Sequence, residues 1–97
     1  MLSSKERSKL MALSAPEEAI FQIGKGGLTD QLVSELADAL KARELIKITV
    51  LPAAGATAKE FIGELAARLN AEPVRAIGRK IILYKRPADP AKAKIKL

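Results

Sequence analysis

Four consecutive residues, Gly24-Lys25-Gly26-Gly27, hold the most suggestive chemistry in this sequence. An apolar run ends at Ile23, and a helix-start signal follows at Thr29, so the glycines stand between a strand and a helix N-terminus. That arrangement suits a phosphate. Glycine has no Cβ, so an anion can come close to the backbone N–H groups. The unpaired N–H groups and the positive dipole end of the following helix aim at the same point, and Lys25 adds a mobile positive charge. Two nucleotide signatures do not fit. No G-x-x-x-x-G-K-[ST] run is present, and the pattern begun by Gly24-x-Gly26 meets Thr29 where a dinucleotide fingerprint needs its third glycine. A G-x-x-G loop clamping an RNA backbone fits better, as in KH domains, although there the loop joins two helices. The plain alternative is that a tight strand-to-helix turn needs glycine.

A second group of residues points to the same kind of partner. Arg75, Arg79, Lys80, Lys85 and Arg86 gather around the last predicted hairpin. Residues 1–73 carry nine Lys and Arg against ten Asp and Glu, whereas residues 74–97 carry eight against Asp89 alone. A segregated basic region is the electrostatic footprint of a polyanion, or else a solubilising tail. Lys41 and Arg43 have a structural reason to stand at a helix C-terminus. Lys47, in a strand, has none and joins the candidates. Tyr84 is placed either to stack on an unpaired base or to pack against a helix. With only three aromatic residues, the chain lacks the stacking platform of an RRM sheet, so recognition is expected to rest on phosphate charge and RNA shape.

Composition removes several classes. There is no Cys and no His, so thiolate and imidazole metal sites, Ser-His-Asp triads and Cys-His dyads are out of reach. No paired-carboxylate geometry suggests itself. No catalytic residue, metal or cofactor is therefore expected. No apolar run approaches the roughly 18 to 20 residues of a membrane span, and the N-terminus has no apolar signal region. A cytoplasmic protein is expected. No heptad or apolar patch suggests more than a monomer.

The elements that would position these residues alternate. Ser3 and Glu6 form a capping box for a helix running to about Ser14, with Leu10, Met11 and Leu13 on its apolar side. Glu17 to Ile23 reads as a strand with Ala19, Phe21 and Ile23 on one face. Thr29 caps a helix carrying Leu32, Val33, Leu36 and Leu40, which ends near Ala42. Glu44 to Leu51 is a second strand, Thr57 and Glu60 cap a third helix reaching Leu69, and Val74 to Ile77 and Lys80 to Arg86 form a hairpin turning at Gly78-Arg79. The order α-β-α-β-α-β-β gives a single α/β domain, residues 1–87, with helices covering a four-stranded mixed sheet. Residues 88–97 are expected to be a flexible basic tail.

Taken together, these segments resemble the CRM domain family (chloroplast RNA splicing and ribosome maturation). Ile23-Gly24-Lys25-Gly26-Gly27-Leu28 is similar to its apolar-G-x-x-G-apolar signature, Glu44-Leu45-Ile46-Lys47-Ile48 to its second-strand motif, and Ile77-Gly78-Arg79-Lys80 with Ile82-Leu83-Tyr84-Lys85-Arg86 to its C-terminal signature. The resemblance spans roughly residues 2 to 87. Lys85 stands where the family pattern follows Tyr with Arg, which keeps the charge but not the bidentate fork. The resemblance implies a fold similar to the C-terminal domain of bacterial translation initiation factor three. It also implies an RNA-binding role on precursors of the large ribosomal subunit, with ribosomal RNA as partner. The implied contacts are Gly24, Lys25, Gly26 and Gly27, supported by Lys47 and Arg79, and the charge cluster adds Lys80, Lys85 and Arg86. The competing reading is a protein-interaction module with a solubilising basic tail.

Overall fold

All three helices start where short polar side chains capture orphan amides. Ser3 Oγ accepts the Glu6 N–H at 3.1 Å while the Glu6 carboxylate accepts the Ser3 N–H at 3.0 Å, and this box opens α1 (Ser4–Ser14). Thr29 Oγ1 accepts the Leu32 N–H at 3.1 Å and opens α2 (Asp30–Arg43). Thr57 and Glu60 repeat the reciprocal box before α3 (Ala58–Leu69). The computed structural model describes residues 2–95 and Leu97; Met1 and Lys96, which fall within the expected domain and tail, lie outside the described residues.

Between the helices run β1 (Phe21–Ile23), β2 (Leu45–Val50), β3 (Glu72–Ile77) and β4 (Lys80–Tyr84), in the sheet order β1-β2-β4-β3. β1 is parallel to β2, and β4 is antiparallel to both neighbours, so it inserts between the two strands that the α3 crossover joins. The expected mixed four-stranded α/β architecture is what the chain adopts. Period-two alternation then divides the sheet into two faces. Ile23, Ile46, Ile48, Val50, Ile81 and Leu83 pack with Leu36 and Leu40 of α2 and Leu65 and Leu69 of α3. Leu45, Val74, Ile82 and Tyr84 pack with Leu2 and with Leu10 of α1.

The strands differ in extent from the sequence expectation. β1 covers three residues rather than Glu17 to Ile23, because only Phe21, Gln22 and Ile23 face partners on β2. β3 starts two residues early at Glu72 and passes through Pro73, which an edge strand tolerates because its outer N–H needs no ladder partner; the register shifts between Pro73 and Arg75. β4 ends at Tyr84, short of Arg86. Leu13, expected on the apolar side of α1, is 41% exposed; Leu10 and Ser14, one turn apart, are the residues this helix buries. Glu44 is not a strand residue. It caps α2 with φ +67° and is buried, and its carbonyl accepts the Lys85 N–H at 2.8 Å.

Candidate functional site

The backbone leaves the sheet at Ile23, whose carbonyl still accepts the Leu51 N–H at 2.9 Å, and turns within four residues. The Gly27 N–H donates to the Gly24 carbonyl at 2.9 Å, closing the turn and leaving Lys25 and Gly26 exposed at its corners. Gly27 has φ +64°, a conformation L side chains rarely adopt, so the turn requires glycine there. The other two have no positive φ. A Cβ at Gly24 would make an ordinary contact, 3.8 Å from Leu51 Cδ1, and one at Gly26 would stand 3.3 Å from Thr29 Cγ2, a small displacement. Two of the three glycines are therefore not demanded by the turn itself. Directly beyond lies the N-terminus of α2, whose first amides have no intrahelical acceptor.

The hairpin sits at the same end of the sheet. The Val50 N–H donates to the Arg79 carbonyl at 2.6 Å, as Leu51 does to Ile23, so the end of β2 is held between the glycine loop and the hairpin turn. β1 and β4 flank β2, which sets their backbones about 10 Å apart. Arg79 is exposed, and Lys80 Nζ donates to Thr49 Oγ1 at 2.6 Å. Register aligns Gln22, Thr49, Lys80 and Ile77 in one row across all four strands, on the face that α1 packs against lower down. A shallow pocket of about 420 Å³ opens between Arg79, Leu51 and the start of α3.

The remaining basic candidates are placed differently. Lys47 lies on the α1 side of β2, half-buried, with Nζ 3.5 Å from the Ser14 carbonyl at the end of α1. Lys85 and Arg86 follow the far end of β4, about 17 Å along the strand from Lys80. Lys85 Nζ donates to the Leu69 carbonyl at 3.0 Å, satisfying the end of α3, and Arg86 pairs with Glu6 at 3.0 Å. The Arg86 guanidinium also lies 5.9 Å from the centroid of the Tyr84 ring. Tyr84 is 2% exposed and packed with Leu10, which decides between its two expected roles in favour of packing; burial raises its phenol above the ordinary range. Arg75 is exposed on β3 opposite Ile82.

One residue at the loop has no precursor in the sequence reading. Arg68, in the last turn of α3, donates through Nη1 to the Leu28 carbonyl at 3.2 Å and through Nη2 to Asp30 Oδ1 at 2.9 Å. A contact between positions 38 and 40 residues apart leaves no local signal. Among the described residues no cluster of acids could hold a metal ion, and no helix is long and apolar enough to cross a membrane.

Comparison with known proteins gives a consistent set of relatives. The model of the CRS1/YhbY (CRM) domain matches residues 2–85. The chain is 36% identical over 85 residues to the probable RNA-binding protein YqeI of Bacillus subtilis, covering 88% of each. It is 32% identical over 94 residues to an RNA-binding protein of Haemophilus influenzae, covering 97% of this chain and 94% of the other. The solution structure of SAV1595 from Staphylococcus aureus, a hypothetical protein suggested to bind RNA, superposes with a TM-score of 0.74 at 33% identity, covering 100% of this chain and 99% of that one.

Proposed function

The chain belongs to the CRS1/YhbY (CRM) domain family, and on that premise we propose that it binds RNA by its backbone, using the Gly24–Gly27 loop with Arg79 and Lys80 beside it. The observation that carries this reading is the surplus of glycine. Only Gly27 has a conformation that requires it, while Gly24 and Gly26 place no Cβ over the backbone next to a helix N-terminus, although the turn would admit one. A phosphate approaching there meets amides, a helix dipole and the mobile ammonium of Lys25. The names of the relatives, which are RNA-binding proteins, support the same partner. We take the partner to be ribosomal RNA in precursors of the large subunit, following the resemblance of the loop, second-strand and C-terminal motifs.

Within the basic set, Lys25, Arg79 and Lys80 form the core of this interface. Lys47 supports it from the sheet face. Lys85 and Arg86 contribute through long-range charge, since they follow the end of β4 far from the glycine loop. The test is binding to ribosomal RNA fragments over a range of salt, comparing the intact chain with Lys25→Ala. Loss of one phosphate contact lowers affinity uniformly across RNA sequences and reduces the salt slope by about one unit. An unchanged slope removes Lys25 from the contacts. No binding to any fragment favours a protein partner and leaves the glycines as turn residues.

A further inference from the structure

We propose that Arg68 is a positioning residue for the glycine loop: it anchors the loop's exit and masks the negative charge of Asp30 from bound phosphate. This inference rests on the RNA-binding reading above.

The geometry is a two-pronged clamp. Leu28 directly follows Gly27, and Asp30 is the first residue of α2. One guanidinium holds the Leu28 carbonyl at 3.2 Å and the Asp30 carboxylate at 2.9 Å, a double engagement that a planar fork makes and a lysine ammonium makes poorly. Glu64, one turn earlier on α3, lies 3.9 Å from the same guanidinium and braces it from its own helix.

The need for such a clamp follows from opposing demands on Asp30. A carboxylate in the first turn favours α2 through the helix dipole. The same dipole end is where the loop would receive phosphate, and a fully exposed carboxylate three residues beyond Gly27 repels it. Pairing with Arg68 keeps the first effect and cancels much of the second. The Leu28 bond fixes where the chain enters α2, and so the direction in which the amides of the turn point. As an ion pair alone, the Arg68–Asp30 contact adds little to folding, because both groups reach solvent. Its effect is therefore expected in binding rather than in stability.

The experiment is a double-mutant cycle on the full chain, read as affinity for a ribosomal RNA fragment that the unmodified protein binds. Arg68→Gln is expected to weaken binding about three- to five-fold, the scale of an exposed charge pair. In an Asp30→Asn background the same change is expected to cost less than about two-fold. Equal costs in both backgrounds mean that Arg68 acts by touching RNA or through the Leu28 carbonyl alone, and no cost in either means that it does nothing at the loop; each overturns the masking role. Amide exchange in the unbound protein reads the anchoring role separately: faster exchange at Gly27, whose N–H closes the turn on the Gly24 carbonyl, is expected in Arg68→Gln, and unchanged exchange overturns it. Thermal unfolding checks each protein, with Arg68→Leu replacing Arg68→Gln if the latter does not fold. Should Lys25→Ala leave RNA binding untouched, the loop reading fails and this inference with it. A Lys25-dependent interaction with a flat cycle and unchanged exchange sinks the Arg68 inference alone.

Discussion

Gly26 and Gly27 are neighbours in one turn, yet the backbone asks different things of them. At Gly27 the φ of +64° makes any Cβ costly although nothing lies within 4 Å of it. Gly27→Ala is therefore expected to lower stability by about 1 kcal/mol, and Gly27→Asn by less, because asparagine tolerates the left-handed region. Urea denaturation should show both as shifts in midpoint at constant m-value. Gly26→Ala meets only the Thr29 methyl at 3.3 Å, so its stability should stay within about 0.5 kcal/mol of the parent while RNA affinity falls. If Gly26→Ala unfolds as readily as Gly27→Ala, the open backbone at Gly26 is a folding requirement and the functional assignment loses its support. Changing both residues at once would confuse the two effects.

At the scale of elements, α1 is tied to the chain that follows β4 by Arg86 and Glu6. The Glu6 carboxyl is held below its usual 4.5, first by the Ser3 backbone N–H of the capping box and then by the Arg86 guanidinium. A depressed folded-state pKa stabilises the fold above the unfolded value and loses that contribution as pH falls through the folded value. Glu6→Gln should therefore flatten the fall in stability on acidification below about pH 4.5 while changing the profile little between neutrality and pH 6; an unaltered acid limb would show that this carboxylate is not linked to folding. The two capping boxes were legible in the sequence because each is a local i to i+3 pattern, and so were the apolar stripes of α2 and α3. The short β1 and the early start of β3 were not, because strand length is set by the partner strand: Gln22 has Thr49 opposite, and Glu72 has Tyr84. The loop was legible as glycines between a strand and a helix. Its clamp by Arg68 was not, since nothing near position 68 refers to position 28. The basic residues of the last strand looked like one cluster because sequence proximity hides the length of β4, which carries Lys80 and Lys85 to opposite ends of the sheet.

For the whole molecule, the charge asymmetry of the sequence becomes a division of labour. Arg79 and Lys80 stand at the loop end, Lys85 closes α3, and the chain beyond residue 87 turns back onto the domain. Its anchor is Glu44, whose carboxylate accepts the backbone N–H groups of Lys94 at 2.7 Å and Ile95 at 3.2 Å, while Ile95 packs against the α1-side core. A tail expected from composition to be flexible thus has a specific, buried acceptor to dock on, and its mobility becomes a measurable balance. Glu44→Gly separates the terms. It removes both charge-assisted hydrogen bonds but also relieves a non-glycine residue of φ +67° at a helix C-cap, where glycine is favoured. The relief should limit the loss of global stability to about 1–2 kcal/mol. Amide exchange at Lys94 and Ile95 should meanwhile accelerate toward unprotected rates, with protection of Ile48 and Ile81 in the central strands retained. Slow exchange at Lys94 and Ile95 that survives the substitution would mean that Ile95 packing, not Glu44, holds the tail. Fast exchange already present in the unmodified chain would mean that the entropy of ten terminal residues outweighs two hydrogen bonds, leaving Lys92 and Lys94 available to the same polyanion that the loop is proposed to grip.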